Sequence, residues 1–129
     1  MANSDNVLRG GLTAKHIDLP ELLKVVNFEP RSIDLLKTEE RGENEKLFIN
    51  PAREFDLSLI SVSAEHSYLS SSDRSAEILL CTDGEAWMQD IGSQVNINLK
   101  KGNSVMIPAA VNGYKLSGHG VFYKAAVPI

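Results

Sequence analysis

Asp5 and Arg9 place an acceptor and a permanent cation four residues apart, within the stretch Met1-Ala2-Asn3-Ser4-Asp5-Asn6-Val7-Leu8-Arg9-Gly10-Gly11-Leu12-Thr13-Ala14-Lys15. A guanidinium presents five N–H donors in a planar fork and keeps its charge at neutral pH, which suits it to phosphates, carboxylates and developing oxyanions. Gly10-Gly11 follows directly, so backbone or ligand can approach where a side chain would stand in the way. This is the chemistry of a phosphate or polyol site. Asp5 has two readings, one fixing the Arg9 fork or a sugar hydroxyl and one capping a turn. Lys15 is placed to face a phosphate, against the commoner fate of a solvated lysine.

Several elements must position these groups. Asp18 reads as a helix N-cap with Glu21 at capping-box spacing, Pro20 is tolerated in the first turn, and Leu19, Leu22, Leu23 and Val26 recur at helical spacing. The spacing predicts a short helix over about residues 19–27, closed by Pro30. Residues 31–46 are charge-rich with little periodicity and read as an exposed connection. From Leu47 onward, alternating runs such as Phe55-Asp56-Leu57-Ser58-Leu59 and Val95-Asn96-Ile97-Asn98-Leu99 signal strands, as do Glu77–Thr82, Glu85–Gln89, Ser104–Pro108 and Val121–Val127. Asp83-Gly84, Ile91-Gly92, Lys101-Gly102, Asn112-Gly113 and Gly118-His119-Gly120 read as turns between them. The expectation is a mainly β protein, an antiparallel sandwich or barrel with a short N-terminal helical segment. Its expected division is 1–46 for the distinctive segment, helix and connection, and 47–129 for the β-domain.

The chain has 129 residues with 43% hydrophobic composition and a formal charge of -4, enough for one domain with its own core. Its 13 Lys and Arg are scattered, which argues against nucleic acid as a partner. There is no apolar run of membrane-spanning length and no secretory leader pattern. Cys81 is the only cysteine, so neither an internal disulfide nor a thiolate metal cage can form. A cytoplasmic location follows as the expectation.

The first fifteen residues resemble the signature of type I mannose-6-phosphate isomerases, Met-Ala-x-Ser-Asp-Asn-x-aliphatic-Arg-Ala-Gly-x-Thr-Pro-Lys. Met1, Ala2, Ser4, Asp5, Asn6, Leu8, Arg9, Gly11, Thr13 and Lys15 match in place, while Gly10 stands for Ala and Ala14 for Pro. The continuation His16-Ile17-Asp18-Leu19-Pro20-Glu21-Leu22 also looks like the family. Gly102-Asn103-Ser104-Val105-Met106-Ile107-Pro108 followed by Asn112-Gly113 is similar to the second motif of cupins, consistent with the family's C-terminal jelly roll. The resemblance implies the C-terminal part of a zinc-dependent enzyme that interconverts mannose 6-phosphate and fructose 6-phosphate. Arg9 would be its catalytic arginine, with Asp5 and Lys15 as substrate-binding residues. A proton moves between C1 and C2 through a cis-enediol in that reaction, and zinc and an arginine would stabilise charge on O1 and O2.

A metal-binding cupin needs two His and a carboxylate from one strand pair and a third His from a later strand. His16, His66 and His119 include no His-x-His pair, and residues 102–113 contain no His, so no metal ligand is assigned here. The family's zinc ligands precede the signature, so the zinc is expected from a portion outside these residues. The chain is then expected to be inactive alone. Its partner would be the missing N-terminal catalytic portion or a second copy meeting it through an exposed docking face. The alternative is a non-catalytic cupin-like module that binds a sugar phosphate or a protein. Glu77 reads as a lone carboxylate without a partner acid, and Cys81 as a buried small hydrophobe.

Overall fold

The computed structural model describes residues 7–129. Backbone contacts divide the chain into two units, Met1–Asp34 and Leu35–Ile129. Among its described residues the first holds one helix, α1, Leu19–Val25. Its start is as the spacing predicts: the Glu21 N–H donates to Asp18 Oδ1 at 3.1 Å, and Pro20 occupies the first turn. It ends earlier than residue 27. Val25 and Val26 are β-branched, Val26 is already extended, and Asn27 Oδ1 takes the Glu29 N–H at 2.8 Å, a local bond that competes with another helical turn.

The second unit is an antiparallel β structure of eight strands: β1 Thr38–Glu40, β2 Glu45–Phe48, β3 Asp56–Val62, β4 Tyr68–Leu69, β5 Glu77–Asp90, β6 Asn96–Lys100, β7 Ser104–Ile107 and β8 Tyr114–Ala126. Two long strands, β5 and β8, pair along their whole length and belong to both layers. Their Glu77–Cys81 and Phe122–Ala126 halves lie in the order β7-β5-β8-β3-β2-β1. Their other halves lie in the order β6-β5-β8-β4. The mainly β, antiparallel architecture expected from strand spacing is therefore present, as a sandwich.

Two expected turns are not turns. Asp83-Gly84 lies inside β5 and Gly118-His119-Gly120 inside β8, with Gly84 opposite Gly120 and Ala86 opposite Gly118. A bulge between Cys81 and Asp83 shifts the register there, and bulges bend the strand that carries them. Glycine is required for close approach at this crossing. A Cβ on Gly84, whose φ is +76°, would lie 2.2 Å from the His119 carbonyl oxygen, and one on Gly118 would lie 2.9 Å from that of Glu85.

The charged stretch expected as an exposed connection contains β1 and the start of β2. Thr38 pairs with Phe48, and Glu40 with Lys46, whose Nζ meets Glu40 Oε1 at 3.0 Å. Charge did not prevent strand formation because an edge ribbon can keep one face in water. Between the layers, Ile60, Leu79, Tyr114, Leu116 and Phe122 are fully buried, with Cys81 and Met88 beside them. Among the described residues no helix is long and apolar enough to cross a membrane.

Candidate functional site

Within the first unit, Arg9 is partly buried in non-regular backbone, while Lys15 and His16 are exposed. The Lys15 N–H donates to Thr13 Oγ1 at 3.2 Å, a local turn that presents the lysine side chain outward. Gly10 packs close to the helix, since a Cβ on it would stand 3.0 Å from Leu22 Cδ2. Asp5 lies outside the described residues.

The second unit has a polar site that sequence reading missed. Side chains two residues apart on a strand share a face. Glu77 is thus on the face of Leu79 and Cys81, Lys124 on that of Phe122, and Ser58 on that of Ile60 and Val62, all turned to the interior. Lys124 Nζ lies 2.7 Å from Glu45 Oε1 and 3.8 Å from Glu77 Oε1, and donates to the Tyr68 hydroxyl at 3.1 Å. Tyr68 in turn donates to Glu45 Oε2 at 3.0 Å. Arg74 Nη1 lies 3.5 Å from Glu77 Oε2, and the Arg74 fork also donates to the carbonyls of Ser75, Pro108 and Val111. Two carboxylates and two cations balance. Glu77 is therefore not a lone carboxylate, because β2 brings Glu45 to the same interior.

The ionisation states follow from this pairing. Burial alone would raise the Glu45 carboxyl, but the adjacent Lys124 ammonium outweighs it and holds Glu45 below its ordinary value. Burial would likewise lower Lys124, and its contacts with Tyr68 and Glu45 push it up instead. Burial raises the Tyr68 hydroxyl to about 12. Glu45 and Lys124 both stay charged at neutral pH. A cavity of about 570 Å³ opens beside them, walled by Glu45, Ser58, Tyr68, Arg74, Glu77 and Lys124.

This donor set does not fit zinc. Both carboxylates are already paired with cationic side chains, and among the described residues no cluster of three His, Cys, Asp or Glu could hold an ion. His66 and His119 line a second cavity, of about 430 Å³, together with Asp83. His119 is a strand residue opposite Glu85, not a turn residue. The missed residues left one signal, charged side chains at inward positions of otherwise apolar alternation, as in Glu77-x-Leu79-x-Cys81 and Phe122-x-Lys124. Arg74 and Glu45, on a loop and a short strand after a charged stretch, left none.

Residues 44–126 match the family model described as mannose-6-phosphate isomerase, cupin domain. The chain is 41% identical over 121 residues to the mannose-6-phosphate isomerase of Escherichia coli K12, covering 93% of this chain and 30% of that protein. It is 40% identical over 121 residues to that of Salmonella typhimurium, with the same coverage of 93% and 30%. The crystal structure of the Salmonella typhimurium enzyme bound to its substrate, fructose 6-phosphate, and to zinc superposes with a TM-score of 0.79 at 36% identity, over 100% of this chain and 32% of the other. A zinc-bound holo mannose 6-phosphate isomerase gives a TM-score of 0.79 at 35% identity, over 99% and 32%. The chain thus spans about 30% of the length of the curated relatives it matches.

Proposed function

This chain belongs to the mannose-6-phosphate isomerase family through its cupin domain, and from that membership we infer that it forms the cupin portion of a zinc-dependent aldose–ketose isomerase acting on mannose 6-phosphate and fructose 6-phosphate. The observation that carries the reading is the similarity over 93% of the chain, which takes in the helix-bearing segment as well as the β unit. Arg9 is the catalytic residue in this reading. Its guanidinium cannot act as a base at neutral pH, but it can donate to O1 and O2 as negative charge develops there during proton transfer between C1 and C2. Lys15, exposed beside it in sequence, is suited to the phosphate, and Asp5 to a sugar hydroxyl or to the Arg9 fork. Zinc and the base would come from a portion of the enzyme outside these residues, and the complete enzyme would work in the cytoplasm.

The test is a coupled assay for fructose 6-phosphate, with zinc present. The purified chain should show no turnover. Fusion to the preceding portion of the Escherichia coli relative should restore it, and Arg9→Ala in that fusion should lower kcat roughly 100- to 1,000-fold without changing the melting temperature. A fusion whose Arg9→Ala variant keeps its full rate would sink the assignment.

A further inference from the structure

We propose that this chain self-associates as a two-fold dimer through the outward face of its β7-β5-β8-β3-β2 layer, a second copy being the occupant of that face. The inference uses only residues of the second unit and is independent of the role given to Arg9.

Successive side chains on a strand point to opposite faces. Leu79, Ile107, Phe122 and Ile60 of this layer are buried in the core, so the residues between and beside them face outward. Strand pairing joins Met106, Ile78, Ala125 and Leu57 into one outward row, and Leu80, Tyr123 and Leu59 into the next. Phe48, from β2, stacks on Tyr123 with ring centroids 6.2 Å apart. Met106 is 66% exposed, Ile78 51% and Leu80 42%, while the other five are half-buried. The face is therefore apolar across five neighbouring strands.

An antiparallel sheet with one face on the core ordinarily turns polar residues to water on the other. Beyond the bulge at Cys81/Asp83 the same two long strands do so: the outward residues include Glu85 and Gln89 on β5 and Lys115, Ser117 and His119 on β8, with Trp87 the one large apolar side chain among them. The change within single strands confines the demand for cover to the first half. Contiguous apolar surface of this extent marks an interaction site.

Two features select a second copy. The eight apolar side chains expose on the order of 500 Å² per copy, which equals the apolar share of the roughly 800 Å² that each partner buries in a stable dimer of standard size. A two-fold contact also sets a surface against itself, so an unbalanced charge would meet its own sign. The charged residues on this face of the strands are Glu40 and Lys46, at the β1-β2 edge, and they neutralise each other at 3.0 Å. The face thus offers its own copy no repulsion and offers a charged partner no counter-charge. Two such sheets pack face to face about 10 Å apart.

Sedimentation equilibrium of the 129-residue chain should show a dimer of the 14.1 kDa protomer with a dissociation constant on the order of 10 μM. Met106, followed by peptide mass spectrometry in dilute hydrogen peroxide, should oxidise more slowly above that concentration than below it. Met106→Lys and Leu80→Lys each set a charge on the face, which the two-fold axis doubles, and each should weaken dimerisation at least about tenfold while the chain stays folded; if one fails to fold, the other decides. Trp87→Lys, on the polar half, should leave the dimer unchanged. A chain that is monomeric at about 1 mM overturns the proposal, and protection of Met106 on fusion to the preceding portion of the Escherichia coli relative would then assign the face to that portion. Dimerisation unaltered in a folded lysine variant of the face, or lost in Trp87→Lys, overturns it as well.

Discussion

Replacing Lys124 by Met keeps most of the length of the side chain and removes the ammonium that faces both interior carboxylates. At an effective dielectric of about 20, the 2.7 Å contact with Glu45 corresponds to roughly 6 kcal/mol of gross attraction and the 3.8 Å contact with Glu77 to roughly 4. Desolvation of the ammonium offsets much of this, and cutting one partner from a buried pair has a net cost of about 3–5 kcal/mol, because the stranded carboxylate stays buried. With the Glu45 side chain 8% exposed and Lys124 11%, the buried case applies. For a unit of this size such a loss lowers the melting temperature by roughly 15–30 °C. Urea and thermal unfolding at pH 7 measure it directly. Adding Glu45→Gln should restore part of the loss, with a coupling of about 1–3 kcal/mol, and acidification should narrow the gap between variant and parent as the stranded Glu45 takes up a proton. A Lys124→Met protein less than about 1 kcal/mol weaker than the parent at pH 7 would refute the reasoning, since the network would then be solvated.

Other outcomes follow from the same geometry. Glu45 ionises more readily folded than unfolded, so its contribution is complete above its ordinary value of 4.5 and is lost as pH falls through the lower, folded value. Lys124 works in the opposite sense: its contribution is complete below 10.5 and is lost as pH rises through the raised folded value. Urea midpoints from pH 2 to 12 should therefore form a plateau that falls at both ends, and Glu45→Gln should flatten the acid side. Gly84→Ala should destabilise by roughly 3 kcal/mol or more, because its Cβ would meet backbone 2.2 Å away at a positive φ; a loss below about 1 kcal/mol in chemical denaturation would mean that the two strands can separate there at little cost.

The local pattern of the chain accounted for more of its fold than of its interior chemistry. Asp18, Pro20 and the leucine spacing set the start of α1 because a cap and a helical stripe are short-range properties, and period-two alternation marked β3 and β6 for the same reason. The family, too, was legible in a short run around Arg9. What local pattern misread was glycine. Gly84, Gly118 and Gly120 resemble turn residues in one dimension, whereas their reason is a contact between β5 and β8 that appears only when residues about 35 positions apart are paired. The ion network is the stronger case. Glu45 sits in a charged stretch, Arg74 in a loop and Lys124 near the end of the last strand, and each alone reads as solvated. Only the lateral pairing of β2, β3, β8 and β5 in one layer brings Glu45, Lys124 and Glu77 together, with Arg74 joining through its i,i+3 contact to Glu77, and burial turns the four into one interdependent group. Residue type determined which charges were available; the tertiary structure decided which of them had to be neutralised by another.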